Sequence, residues 1–352
     1  MDFLTSILSN KRMTLFNQIT KGAFHFAVLS MVTLASILLA PPVLAQSDKT
    51  NKENKTQAEK LNFPKGKKVL LLHMDDIGMC PEANAAAIRY IENKNIMSAA
   101  VMMPCPNAVE FIEWAKTHPE AEIGLHLTLT SEWQTYRWPP VTDAAKVPGL
   151  IDPDGKLWHE VPDVVVHASA QEVETEIRAQ IEKCLALGYR PTHIDTHMGT
   201  LYGSVEYTKA FYKIAEEYNI PANATSMSDP DVVSRFRRMG FPFDEEMMSV
   251  SAKYRLPKLD NFTSVETGAT YEQKRDKFLT MIKSLKPGLT EIIFHPSVQT
   301  DNLKSITGSW QQRVWEAELF SDPIVTAFFQ KEGIIITNWK EIMKRFETKI
   351  KK

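Results

Sequence analysis

A chain of 352 residues, 43% of them hydrophobic and 24% charged, has the apolar content to build a large core. Its formal net charge of -2 supplies no basic surplus and so gives no argument for nucleic acid or an anionic membrane as partner. The three cysteines, Cys80, Cys105 and Cys184, lack the paired spacing of a thiolate zinc site and read as small buried hydrophobes. One disulfide with a leftover thiol is the alternative in an oxidising compartment.

Lys11, Arg12 and Lys21 precede an uncharged, mostly apolar run over residues 22–45 that ends in Val43-Leu44-Ala45. Residues 1–45 therefore read as a secretory signal peptide, which places the mature chain in a periplasm or outside the cell. The run is also long enough to span a bilayer, so an uncleaved membrane anchor is the competing reading. Met13 offers a second start, and no Cys follows the run to carry a lipid. Residues 46–64 are rich in Lys, Asn, Gln, Ser and Glu and are expected to form a disordered linker. The folded domain is expected over residues 65–348, a size suited to one barrel.

The run KVLLLHM (68–74) stops at Asp75-Asp76, as a buried parallel strand stops at its loop. Pro81 opens a helix through Ile91, residues 98–103 form a second strand, and a helix over about 107–117 precedes a third strand at 122–128. Residues 131–168 form a long insertion rich in Trp, Pro and Asp, and long connections inside a compact domain tend to be functional. Ser169 and Glu172 make a capping box for a helix that Gly188 stops. Strand four is expected over 191–197, where the side chains of His193, Asp195 and His197 share one face. Helices at about 204–218, 271–285 and 311–320, a loop at 226–257, and strands at 291–296 and 333–337 complete the pattern. Strands alternating with helices imply parallel βα units, hence an α/β fold with a single distorted (β/α) TIM-like barrel.

Coordinating residues sit on four strand ends: Asp75 and Asp76, His126, the trio at 193–197, and His295. A parallel barrel gathers all its C-terminal strand ends at one rim. For the trio alone, a solvent-facing strand edge would serve as explanation, but four separate segments converging on one rim point to a site. A His/His/carboxylate triad suits a divalent cation with positions left open, and of two adjacent carboxylates one can hold the metal while the other stays free as a base.

The strings LLLHMDDIGMCPEAN, EIGLHLTLT, VPGLIDPDGKLWH, PTHIDTHMG and EIIFHPS, in that order, resemble the successive motifs of the YdjC/ChbG-like carbohydrate deacetylases, relatives of the polysaccharide deacetylases. The resemblance runs from about residue 67 to 345. It implies removal of acetyl groups from N-acetylated amino sugars with one divalent metal ion, Mg2+ by family preference and Zn2+ as the alternative. Carried over by position, Asp76, His126 and His197 are the metal ligands, Asp75 the general base and His295 the acid that protonates the leaving amine. His193 and Asp195 fit the layer behind the metal, orienting His197 or its neighbours by hydrogen bonds. The sequence departs from the family where Met198-Gly199-Thr200-Leu201-Tyr202 replaces further His residues, which leaves substrate preference open.

Trp133, Tyr136, Trp138 and Trp158 can stack on sugar rings or pack the insertion's own core, and Arg235, Arg237 and Arg238 can receive an anionic substituent or face solvent. The expected partner is an acetylated carbohydrate, with no nucleic acid and no membrane after signal cleavage; a homodimer is left open. Competing functions are hydrolysis of O-acetyl or other ester bonds and non-catalytic carbohydrate binding on the same scaffold.

Overall fold

The computed structural model describes residues 55–350. The segment read as a signal peptide lies outside them, as do residues 46–54 of the expected linker. The first half of the described chain carries α1 (Gln57–Lys60), β1 (Lys68–Ile77), α2 (Pro81–Glu92), β2 (Ser98–Val101), α3 (Ala108–Lys116), β3 (Glu122–Leu127), α4 (Val161–His167), α5 (Ala170–Ala186) and β4 (Ile194–Thr196). There follow α6 (Val205–Tyr218), α7 (Pro230–Arg238), α8 (Glu245–Lys253), β5 (Asn261–Ser264), α9 (Tyr271–Ser284) and β6 (Gly288–Phe294). The chain closes with α10 (Asp301–Ile306), α11 (Trp310–Leu319), α12 (Pro323–Lys331), β7 (Ile335–Thr337) and α13 (Trp339–Ile350).

The fold is α/β with a parallel sheet, in the order β4-β3-β2-β1-β6-β5, and β7 pairs with β1. Residues 69–77 of β1 are buried throughout, as a strand covered on both faces requires. It pairs with β6 from Lys68 to Met74, with β7 at Val69–Leu71 and with β2 from His73 onward. Isolated parallel bridges, Ile194 with Ala222 and Thr225 with Leu259, lead from β4 to the residues just ahead of β5, so the sheet curls as part of a barrel. Because all strands are parallel, their C-terminal ends share one rim, and the side chains of interest sit there.

Three sequence expectations need correction. Strand four ends at Thr196 rather than His197: Met198 (φ 53°) and Gly199 (φ 70°) take left-handed backbone, and residues 197–202 turn as a 3-10 helix. Helices α7 and α8 and strand β5 occupy the region read as a loop and its sequel, and α4 lies inside the stretch read as an insertion. Order also begins before Lys65. Thr56 and Glu59 form a capping box for α1, and Asp260 accepts the backbone N–H groups of Gln57 (2.7 Å) and Ala58 (3.1 Å). Ala58, Leu61 and Phe63 are buried in a cluster with Leu289, Trp339 and Ile342, partners more than 200 residues away that the local polar composition conceals.

A chain beginning at Lys65 is therefore expected to lose about 3 kcal/mol or more, since a buried Leu or Phe each contributes roughly 1.5–3 kcal/mol. Thermal denaturation of chains starting at residues 55 and 65 checks this; equal midpoints would contradict it. Cys80, Cys105 and Cys184 are all buried, as small hydrophobes would be.

Candidate metal centre and active site

Successive side chains of a regular strand point to opposite faces, so Asp75 and Asp76 should diverge. They do not. The pairing of β1 with β2 shifts register between Met74 and Ile77, and Asp76 adopts φ 62°. This irregularity re-aims the second carboxylate, a recognised use of strand bulges beside functional sites. Asp75 Oδ1 then lies 3.3 Å from His73 Nε2 and 3.8 Å from His126 Nδ1, while Asp76 Oδ1 lies 3.4 Å from His126 Nε2 and 3.3 Å from His197 Nδ1.

His126 Nε2 and His197 Nδ1 are 3.1 Å apart, so with Asp76 Oδ1 they form a triangle with edges of 3.1, 3.3 and 3.4 Å. Three donors about 2.0–2.2 Å from one ion would stand roughly 3.0–3.5 Å apart. Asp76 Oδ1 is buried and without a hydrogen-bond partner, and so is Asp75 Oδ1. Such orphaned carboxylate oxygens are costly in a protein interior, and a cation at this site would satisfy them. The residues present therefore fit a divalent ion, with Asp76, His126 and His197 as its holders.

The surroundings fix each of these groups. Arg313 on α11 donates from Nη2 to Asp76 Oδ2 at 2.7 Å, leaving Oδ1 free. His126 Nδ1 is 2.6 Å from Asp195 Oδ1, whose Oδ2 is 2.9 Å from His73 Nε2, and His73 Nδ1 is 2.8 Å from Ser98 Oγ. Asp195 thus orients His126 rather than His197. His193 lies deeper, its Nε2 3.4 Å from that of His73 and its ring stacked on Trp339. A Cβ on residue 124 would stand 2.3 Å from that ring, which is why β3 carries Gly124. His295 follows β6; its backbone N–H donates to Glu316 Oε2 at 2.6 Å, its Nδ1 is 3.8 Å from the same oxygen, and its side chain is 33% exposed. Lys274 holds the other oxygen of Glu316 at 2.7 Å.

Burial raises the pKa of Asp75. Burial acts the same way on Asp76, but the Arg313 guanidinium and neighbouring imidazoles overcome it and hold that carboxyl well below the usual range. Burial disfavours charge on His126 and His197, yet Asp75 and Asp195 push the first well above its ordinary value, and Glu132 and Asp76 push the second up to about 9. In the metal-free protein both shifts favour the protonated imidazole, and a protonated nitrogen has no lone pair to give. Metal binding should release protons, and apparent affinity should rise by up to tenfold per pH unit for each proton displaced as pH increases towards 9. Calorimetric titration in buffers of different ionisation enthalpy measures that release; a heat independent of buffer would contradict it.

The aromatic residues divide. Trp138 is buried with Nε1 on Thr130 O, and Trp158 bonds Gly149 O and stacks on His167, so both pack the segment itself. Tyr136 donates to Met79 O, and half-buried Trp133 lies over the Arg313 guanidinium at 5.6 Å. Arg235 and Arg237 donate to backbone carbonyls of Phe262 and Phe243, and Arg238 to Ser234, which accounts for these cations without an anionic substrate. Sequence reasoning passed over His73, Glu132, Arg313 and Glu316. Only His73 left a signal, two residues before Asp75 on one strand.

A parallel α/β scaffold that gathers an Asp/His/His triangle and a second carboxylate at one rim offers the donor set for a cation. Residues 69–331 match the YdjC-like protein family, and the chain belongs to it. It is 27% identical over 274 residues to a carbohydrate deacetylase of Thermoanaerobacter pseudethanolicus, covering 77% of this chain and 98% of that one. A carbohydrate deacetylase of Geobacillus stearothermophilus is 26% identical over 278 residues, with 78% and 98% covered. The crystal structure of a candidate cellobiose-phosphate cleavage protein from Enterococcus faecalis superposes with a TM-score of 0.65 at 23% identity, over 79% of this chain and 99% of that one, a likeness of fold.

Proposed function

We propose that the protein is an exported, metal-dependent deacetylase of N-acetylated amino sugars or their oligosaccharides. The observation that carries this reading is the position of Asp75, a buried carboxylate next to Asp76 in the chain, whose Oδ1 accepts no hydrogen bond and lies 3.8 Å from His126, one corner of the Asp76, His126 and His197 triangle. Membership of a family whose relatives include carbohydrate deacetylases supplies the substrate class. The resemblance favours Mg2+, with Zn2+ as the alternative; when bound, such an ion polarises an amide carbonyl and acidifies water. Asp75 takes the proton of the attacking water, and its burial brings its pKa nearer the working pH, where a base is most effective. The expelled amine is a poor leaving group until protonated. His295 delivers that proton from a partly exposed position, and Glu316 holds its backbone while Lys274 holds Glu316.

Retention of both a base and an acid favours turnover over simple carbohydrate binding. The test is acetate release by residues 46–352 from N-acetylglucosamine oligomers and from O-acetylated sugars, with and without chelator. Chelator-sensitive release from the N-acetyl substrates is expected; release from the O-acetyl substrates alone would move the assignment to an esterase. The exported location rests on residues 1–45, and a mature chain beginning at Gln46 in the secreted or periplasmic fraction is the expected result. Recovery of the intact chain in membranes would replace it with an anchor.

A further inference from the structure

The connection between β3 and α4 carries a carboxylate, Glu132, whose Oε2 lies 3.0 Å from His197 Nε2. The other nitrogen of that ring, Nδ1, faces Asp76 Oδ1 at 3.3 Å and His126 Nε2 at 3.1 Å. The partner imidazole divides its nitrogens the same way: His126 Nδ1 is on Asp195 Oδ1 at 2.6 Å, and its Nε2 faces Asp76. A neutral imidazole offers a lone pair at one nitrogen only while the proton resides on the other, and a carboxylate accepting that N–H selects the tautomer and orients the ring.

We propose that Glu132 is a positioning residue of the cation site, holding His197 with its proton on Nε2 so that Nδ1 is free to ligate, as Asp195 does for His126. This rests on the metal reading above and deepens it. Glu132 is held in place by its flanks. Gln180 on α5 bonds both the N–H (3.0 Å) and the carbonyl (2.7 Å) of Thr128, and Ser131 donates its N–H to Trp158 O (2.8 Å) and receives that of Trp138 on Oγ (3.0 Å). The next residue, Trp133, packs on Trp138 and covers Arg313, the residue that holds Asp76. One segment thus supports two of the three metal-holding side chains, so its order and cation affinity are coupled.

The test titrates metal-free wild type, Glu132→Gln and Glu132→Ala with Zn2+, and reads His197 in the Zn2+-loaded proteins by long-range nitrogen-proton NMR. Losing a carboxylate behind a ligating imidazole typically weakens binding 10–100-fold. The Ala variant is expected to show that loss and the Gln variant a smaller one, because an amide oxygen still accepts the N–H without the charge. Glu160 is a second carboxylate near enough to feel the charge of Glu132, and Glu160→Gln serves as control and should bind as wild type does. In the loaded wild type, His197 should be protonated at Nε2 and ligated through Nδ1. Ligation through Nε2, or equal affinity in the Ala variant and wild type, overturns the proposal while leaving the metal site intact. Failure of wild type itself to bind Zn2+ would instead overturn the metal reading beneath it.

Discussion

Asp75→Asn should lower kcat by about 10²–10⁴-fold while the protein still binds its metal ion, because the substitution removes a general base and no ligand. The geometry separates the two roles. Asp76 Oδ1 forms an edge of the triangle with His126 and His197, whereas Asp75 Oδ1 approaches His73 and His126 Nδ1 from the other side of that imidazole. The metal-free variant should be as stable as wild type or more so. A carboxyl whose folded pKa is raised by burial weakens the fold as pH rises above its unfolded value, and Asn relieves that cost. Turnover measured beside metal content checks both halves. Unchanged kcat would remove Asp75 from the mechanism, and loss of metal would make it a ligand.

His126→Gln and His197→Gln should each weaken metal binding by more than 100-fold. The bound works from below: removing only a partner behind a metal ligand costs about 10–100-fold, so removing the ligand itself must cost more. The two variants should differ in stability. His126 stands between Asp75, Asp76 and Asp195, all buried, and its removal takes away a partner that all three share, leaving only Arg313 on Asp76 and His73 on Asp75 and Asp195; a broken buried pair costs about 3–5 kcal/mol. His197 faces Asp76 and partly exposed Glu132, which water can reach, so its loss should cost less. Stoichiometric metal retained at wild-type affinity in either variant would refute that assignment.

The residues legible in the sequence are those whose position follows from period and strand polarity. Asp75, Asp76, His126 and His295 each lie at the end of an apolar run, and a parallel sheet delivers every such end to the same rim. Asp195 and His197 were legible for the same reason, although the strand stops at Thr196 and His197 reaches the cluster from a turn. Groups contributed by other kinds of element left no comparable trace. Arg313 and Glu316 stand three apart on a helix, a spacing common to any helical face, and which face meets the strand ends depends on tertiary packing. Glu132 lies in a long connection without periodicity. α1 read as linker because its apolar side chains are few and its partners lie at the far end of the chain.

The most direct measurement is an anomalous difference map from crystals soaked in Co2+, an ion with preferences close to those of Zn2+. One peak is predicted, within about 2.3 Å of Asp76 Oδ1, His126 Nε2 and His197 Nδ1, with Asp75 beside it and outside bonding distance. A peak among His73, His193 and Asp195 instead, or a peak bonded to Asp75, would contradict the division of labour between the two adjacent carboxylates on which the account depends.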